Sequence, residues 1–360
     1  MIDQSMRNAG RPPDSIRVMT RSRALVGLIV CCCIGLAAVA DRNVEAETSP
    51  GPIGPAPAIG VTLSPGPGGE DEAFELFLSA GGSAIEAPQP WSTLEPGRRR
   101  YRVADVAAIA AGLASDPAGQ VMIIPAAIET TRRSVPDDLR REPWDANRMV
   151  GRYQALLRHL APHFGPQVRY VSIANEADVF LGAHPDQLPA FVRFARKEIS
   201  TVRRLAPWVK VGVTVTYAGL TSAHPRVART LARLGDVTIA TYYPLVDGYR
   251  MRPPRAPLHD IPQMVRLAHG RPLVLQEAGY SSAVKLGGSP AAQATFVRSV
   301  FRAAKRSRPT IPFMSFYTMF DPPAAECRGR DEAVTFFCSL GLRAADGRPK
   351  PAWQAFRDGI

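Results

Sequence analysis

Between residues 58 and 318 the sequence repeats one alternation eight times: a short β-branched run, then a stretch with apolar residues three and four apart. The runs are AIGVTL (58–63), a weaker SAIEAP (83–88), QVMIIP (120–125), VRYVSIA (168–174), KVGVTVT (210–216), DVTIAT (236–241), PLVLQE (272–277) and PFMSFYT (312–318). Runs of this length, rich in Val and Ile, read as buried strands. Residues 101–114, 146–160, 189–205 and 290–307 carry the helical period. A strand, a helix and a second strand in one sheet connect right-handedly, so the sheet is expected to be parallel. Eight such units without a Gly-x-Gly-x-x-Gly turn favour a closed α/β barrel, the (β/α)8 or TIM fold, over an open doubly wound sheet. The expectation is a single domain over 58–360.

Ahead of that domain, Arg7, Arg11, Arg17, Arg21 and Arg23 precede the apolar run ALVGLIVCCCIGLAAVA (24–40), which closes on Ala38-Val39-Ala40. A basic start, an apolar segment and a small-residue end describe a signal peptide over 1–40, cleaved after Ala40. Seventeen apolar residues fall short of the roughly 20 that a spanning helix needs, so contact with a membrane is expected only if the segment stays uncleaved. Met1, Met6 and Met19 all offer a start. Residues 41–57, DRNVEAETSPGPIGPAP, read as a flexible Pro/Gly-rich linker. The protein is therefore expected to be secreted or periplasmic, and monomeric.

Three of the five cysteines lie in the leader, leaving Cys327 and Cys338. In an oxidising compartment these two are expected to form a disulfide. The formal charge of +12 falls to +9 without the leader's five Arg and two Asp. The remaining Arg residues are spread along helical stretches such as VRFARKEISTVRR, which read as solvated helix faces, and no nucleic-acid partner is expected.

In a parallel barrel the chemistry sits where strands end and the following loops begin. The fourth run ends in YVSIANEADVF (170–180), with Glu176 at the tip of an apolar strand above the small residues Ala174 and Ser172. The seventh, PLVLQEAGYSS, ends in Glu277 in the same way. Two carboxyls converging over the barrel mouth are what hydrolysis of a glycoside requires, one to protonate the departing oxygen and the other to attack or stabilise the sugar carbon. Carboxyls that close cannot both ionise easily, so the proton is expected on Glu176, taken as the better desolvated, with Glu277 ionised beside Tyr243.

SIANEADVFL resembles the Asn-Glu signature at the fourth strand of the clan A glycoside hydrolases, and VLQEAGYSS resembles their seventh-strand nucleophile. QPWSTLEP (89–96) is similar to their second-strand loop and GLRAADGRPKPAWQAF (341–356) to their closing helix. The resemblance implies Glu176 as acid/base, Asn175 as partner of the sugar 2-hydroxyl, and Glu277 as nucleophile of a retaining mechanism. TYYPL (241–245) is similar to the sixth-strand motif whose Tyr holds the nucleophile, matched by Tyr243. Two departures leave the particular family open. Thr241 stands where some members carry His, and FYTMFD stands where many end the eighth strand in Trp, so that Tyr317 or Phe316 would form the floor.

Aromatic residues near strand ends, Trp91, Tyr242, Tyr280 and Phe316, are candidates to stack on sugar faces, with Trp91 favoured by its place beside Pro90. Gln89 and Glu86 are candidate hydroxyl partners, while Asp178 and Asp321 lie near the mouth. His159 and His163 stand four apart, but Pro162 intervenes and no carboxylate completes a cluster, so no metal is expected. No cofactor is expected either. The leading expectation is an exported retaining glycosidase acting on β-linkages of a poly- or oligosaccharide. A transglycosylase using the same two carboxylates, and a non-catalytic carbohydrate-binding barrel, are the alternatives.

Overall fold

The computed structural model describes residues 56–246, 248–329 and 331–360. The leader expected over 1–40 and all but the last two residues of the linker lie outside them. All eight expected strands are present: β1 (Ala58–Val61), β2 (Ala84–Pro90), β3 (Gln120–Ala126), β4 (Val168–Ser172), β5 in two halves (Lys210–Gly212 and Thr214–Thr216), β6 (Thr238–Tyr242), β7 (Leu273–Ala278) and β8 (Phe313–Phe316). Every neighbouring pair is parallel, and β1 returns to β8 through Ala58↔Phe313 and Val61↔Phe316. The ring closes through β5. Its first half pairs with β4 (Ser172↔Gly212) and its second with β6 (Thr214↔Ile239), with Val213 between them.

Eight principal helices follow the strands in turn: α1 (Gly69–Ser79), α2 (Ala104–Gly112), α3 (Asn147–Leu160), α4 (Leu188–Leu205), α5 (Arg226–Ala232), α6 (Pro257–Leu267), α7 (Pro290–Arg306) and α8 (Pro351–Arg357). Their period explains the packing. In α4 the buried residues Phe191, Phe194, Ala195, Ile199 and Val202 make one stripe, while Arg196, Arg203 and Arg204 face outward. The start of α7 is fixed by Pro290 at its first position and by Ser289, whose side chain accepts from the Ala292 amide.

Alternation along the strands separates two apolar layers. Residues such as Ile85, Ala87, Val171 and Leu275 join the large core beneath the helices. Ala58, Ala84, Met122, Ile124, Tyr170, Ile239, Val274 and Phe313 form a second cluster that plugs the barrel lumen. Gly60 sits where β1 runs closest to β2. A Cβ there would lie 1.9 Å from the Ala84 carbonyl oxygen, so no side chain fits.

Above the plug the lumen turns polar with Glu86, Ser172, Thr214, Gln276 and Ser315, all buried. The expected disulfide joins Cys327 to Cys338 in the segment after β8. Among the described residues no helix is long and apolar enough to cross a membrane.

Candidate active site

Glu277 reaches the mouth because β7 is irregular. Leu275 pairs with Ala240 and Glu277 with Thr241, leaving Gln276 as an extra residue. Against β8 the same two residues again oppose one. A bulge of this kind turns successive side chains to the same side, so Gln276 and Glu277 both face inward. Strict alternation from Leu273 and Leu275 would have sent Glu277 towards the helices.

Glu176 follows β4 and opens a short helix, Ala177–Ala183, with φ 45° and ψ 41°. The left-handed region is uncommon for a residue with a Cβ and costs of order 1–3 kcal/mol. Thr130 (φ 43°), in the turn between Ile128–Glu129 and Arg132–Arg133, is strained in the same sense. The two residues are bonded: the Thr130 hydroxyl donates to Glu176 Oε2 at 2.9 Å. The Thr241 hydroxyl donates to the other oxygen, Oε1, at 2.6 Å.

Glu277 is held as closely. The Tyr243 hydroxyl donates to its Oε2 at 2.5 Å and Gln276 Nε2 donates to its Oε1 at 2.9 Å. Gln276 Nε2 also donates to Asn175 Oδ1 (2.8 Å), while Gln276 Oε1 accepts from Thr214, whose hydroxyl meets Ser172. Asn175 Nδ2 in turn donates to Glu129 Oε1 at 3.1 Å. One polar chain therefore runs up the lumen from β5 through Gln276 to both Asn175 and Glu277.

Four carboxyl groups share this mouth, and burial raises each of them. Burial pushes Glu277 well above the usual carboxylate range, and the charges of Glu176 and then Glu86 push it further, against the donors Tyr243 and Gln276. Burial also raises Glu176, opposed by Thr241 and Thr130. Glu86 is raised to about 7, by burial first and by the charge of Glu129, with the Thr62 hydroxyl acting against the shift. Glu129 is raised to about 6, again chiefly by burial. The expectation that Glu176 is the better desolvated of the central pair is overturned: Glu277 is 8% exposed, whereas Glu176 is only partly buried. The proton belongs to the pair, with the stronger upward push on Glu277.

Tyr243 and Tyr317 stand edge to face, 6.4 Å between ring centres. Burial raises the Tyr317 hydroxyl, and so do the charges of Glu277, Glu86, Glu129 and Glu176, which sets Tyr317 in the field of all four. Phe316 instead packs on Phe301 and Phe356 and is no part of the floor.

Four further candidate substrate contacts are corrected. Trp91 is fully buried, its ring edge-on to Tyr153 and its Nε1 donating to Glu95, so no ring face is open to a sugar. Tyr280 is 2% exposed against Phe296, with its hydroxyl donating to the Arg252 carbonyl. Gln89 belongs to the unbroken register of β2 and falls on the face of Ile85 and Ala87, away from the lumen. Tyr242 is likewise core, donating to Asp260. Asp178 accepts from the amide and hydroxyl of Thr216, and Asp321 from Lys350 and the Gly341 amide, so both serve the loops.

Neither a protein-family model nor a curated protein sequence matches the chain. Solved structures do match its fold. GH5_18 from Streptomyces cattleya, in complex with GlcNAc, superposes with a TM-score of 0.66 at 21% identity, over 84% of this chain and 79% of that one. An exo-β-1,4-mannosidase from Opitutaceae bacterium strain TAV5 gives 0.65 at 17% identity, over 84% of this chain and 59% of that one. Native xylanase 10B from Thermotoga maritima gives 0.59 at 13% identity, over 84% and 94%. At such identities the likeness is one of fold, the (β/α)8 or TIM barrel.

Proposed function

We propose that this chain is an exported, retaining glycoside hydrolase acting on β-linkages of a poly- or oligosaccharide, with Glu277 as nucleophile and Glu176 as acid/base. The observation that carries this reading is the pairing of Glu176 and Glu277 at the C-terminal mouth of one barrel, each carboxylate gripped by two donors. In the first step Glu277 attacks the anomeric carbon while Glu176 gives its proton to the departing oxygen, leaving a glycosyl ester on Glu277. In the second, Glu176 takes a proton from water, whose oxygen displaces Glu277 and frees the sugar.

The electrostatics fit the sequence of steps. With the shared proton on Glu176, the charge that most raises Glu277 after burial is gone, and Tyr243 and Gln276 favour its anion. Tyr317, at the end of β8, is the aromatic floor on which a pyranose would rest, and Asn175 is the partner of its 2-substituent. The Streptomyces cattleya protein is also solved in complex with Manβ1-4GlcNAc, which supports a β-linked oligosaccharide as the class of substrate here. Export rests on the leader pattern in 1–40, and the chain is taken to work as a monomer.

The test is intact mass after incubation with 2-fluoro-glycosides of several sugars bearing a good leaving group. A gain of one fluorosugar, absent in Glu277→Gln, is expected. Labelling that persists in Glu277→Gln would overturn the assignment. A folded protein that no sugar labels, and that cleaves no oligosaccharide, would be a carbohydrate-binding barrel.

A further inference from the structure

Two of the four carboxyls at the mouth have no part in the double displacement. Glu86 is 4% exposed on β2, and only its Oε1 has a partner, the Thr62 hydroxyl at 2.6 Å. Its Oε2 is buried with no hydrogen-bond partner. Glu129 repeats the pattern in the loop after β3: Oε1 accepts from Asn175, and Oε2 is buried and unpartnered. A buried carboxylate oxygen without a donor forfeits its hydration with no return, and it is their place at the barrel mouth that makes these two oxygens points where a ligand can supply the missing proton.

Charge decides which ligand. None of Glu86, Glu129, Glu176 and Glu277 forms an ion pair with a described Lys or Arg, although buried carboxylates are ordinarily paired. The described ion pairs of buried acids lie elsewhere, as in Arg152 with Glu95 and Arg252 with Asp260. A hydroxyl would satisfy the lone pairs and leave the negative charge. Among the described residues no three His, Cys, Asp or Glu side chains stand at metal-binding spacing, so the carboxyls are not gathered around an ion. An ammonium group on the substrate meets both needs, donating three protons and neutralising the field.

We infer that the sugar bound at the mouth is an amino sugar with its amine free, whose ammonium group is received by Glu86 and Glu129. This rests on the hydrolase reading and narrows its substrate. The upward shifts of both groups, to about 7 and about 6, come first from burial, and a cation held against them would oppose those shifts. The selectivity is local. The chain as a whole carries +12, and a field confined to the mouth acts within a Debye length of about 8 Å. An acidic sugar would meet four carboxyls there and be rejected, and an acetylated amine would lose the charge that the site answers.

The experiment uses the full chain carrying Glu277→Gln, so that binding is read without turnover. It is titrated at pH 6 with β-linked oligomers of glucosamine and galactosamine, with their N-acetylated forms and with the neutral parent sugars. Binding of an amino-sugar oligomer at least tenfold tighter than its acetylated and neutral counterparts is expected. Adding Glu86→Gln or Glu129→Gln should bring that ratio close to one, and the use of two variants guards against one that fails to fold. Equal or tighter binding of the neutral or acetylated oligomers overturns the inference, as does a preference that survives in both variants. Cleavage of a neutral oligomer by the unaltered chain would then leave the hydrolase reading standing. No binding of any oligomer, together with no fluorosugar labelling, sinks both.

Discussion

Thr241 lies beside Glu277 in the sheet as its cross-strand partner, yet its hydroxyl donates to Glu176, 2.6 Å away. A single small residue on β6 thus ties the two carboxylates of the mouth to one frame. Its position is the one where some members of the resembling clan carry His, and the hydroxyl supplies a donor there without a titrating group.

Thr241→Val keeps the shape and removes that donor. The hydrogen bond favours the Glu176 anion, so its loss raises the Glu176 pKa further and moves the alkaline limb of kcat/KM to higher pH. A fall in kcat/KM of about tenfold is expected from a bond to a charged group worth roughly 1.5 kcal/mol. A pH-rate profile checks both.

Tyr243→Phe acts on the other carboxylate. The hydroxyl favours ionised Glu277, so without it the acidic limb of the profile moves to higher pH, because a larger share of the proposed nucleophile is protonated at any given pH. A loss of about 10- to 100-fold in kcat/KM should accompany it, and a purely structural role for Tyr243 would leave the limb in place.

Gln276→Leu removes the hub of the luminal chain. Asn175 Oδ1 and Glu277 Oε1 lose their donor inside the barrel, and the Thr214 hydroxyl keeps only Ser172. Each buried polar group left unpaired costs about 1–3 kcal/mol, so a drop of about 3 kcal/mol in urea unfolding is expected. Any remaining folded protein should show a lower kcat, since Asn175 and Glu277 are both released.

Glu198 on α4 tests the opposite effect. It is fully buried, neither oxygen has a partner, and burial raises it to about 8. Its folded value lies above its unfolded value, so folding takes up a proton. The resulting penalty is absent below about pH 4.5, grows as pH rises and levels off above pH 8. Glu198→Gln should therefore raise the melting temperature, by little at pH 5 and by the equivalent of up to about 3 kcal/mol at pH 7. Equal gains at both pH values would refute the account.

The disulfide joins structure to the site. Between Cys327 and Cys338 runs the helix Glu332–Phe337, which sets Phe336 against Tyr243 at 5.6 Å between ring centres. Closing a loop of this size contributes on the order of 3 kcal/mol in the chain-entropy model. Reduction should lower the melting temperature and also lower kcat, because Tyr243 loses its brace. Cys327→Ser with Cys338→Ser should reproduce both changes.

The barrel was legible because its strands are short β-branched runs, a signal that survives without partners. The ends of strands were legible too, since Glu176 and Glu277 are carboxylates closing apolar stretches. Glu129 and Thr130 were not. They lie in a segment with no periodic pattern, and only the pairing of 128–130 with the end of β4 brings them to Glu176. Trp91 and Tyr280 were misread because a ring at a strand end looks the same whether the following loop covers it or leaves it open. The break in β5 at Val213 had no sequence mark either, because KVGVTVT continues its β-branched pattern through it.

The extra residue at Gln276 carries a risk that the remainder of the fold does not. Loss of that one codon would straighten β7 and leave the strand well paired and the barrel closed. The glutamate would then follow Leu275 directly and keep an inward place, but the lumen would lose the Gln276 amide that holds both Asn175 and Glu277. A single heritable step would thus keep the carboxyl and discard the frame that aims it.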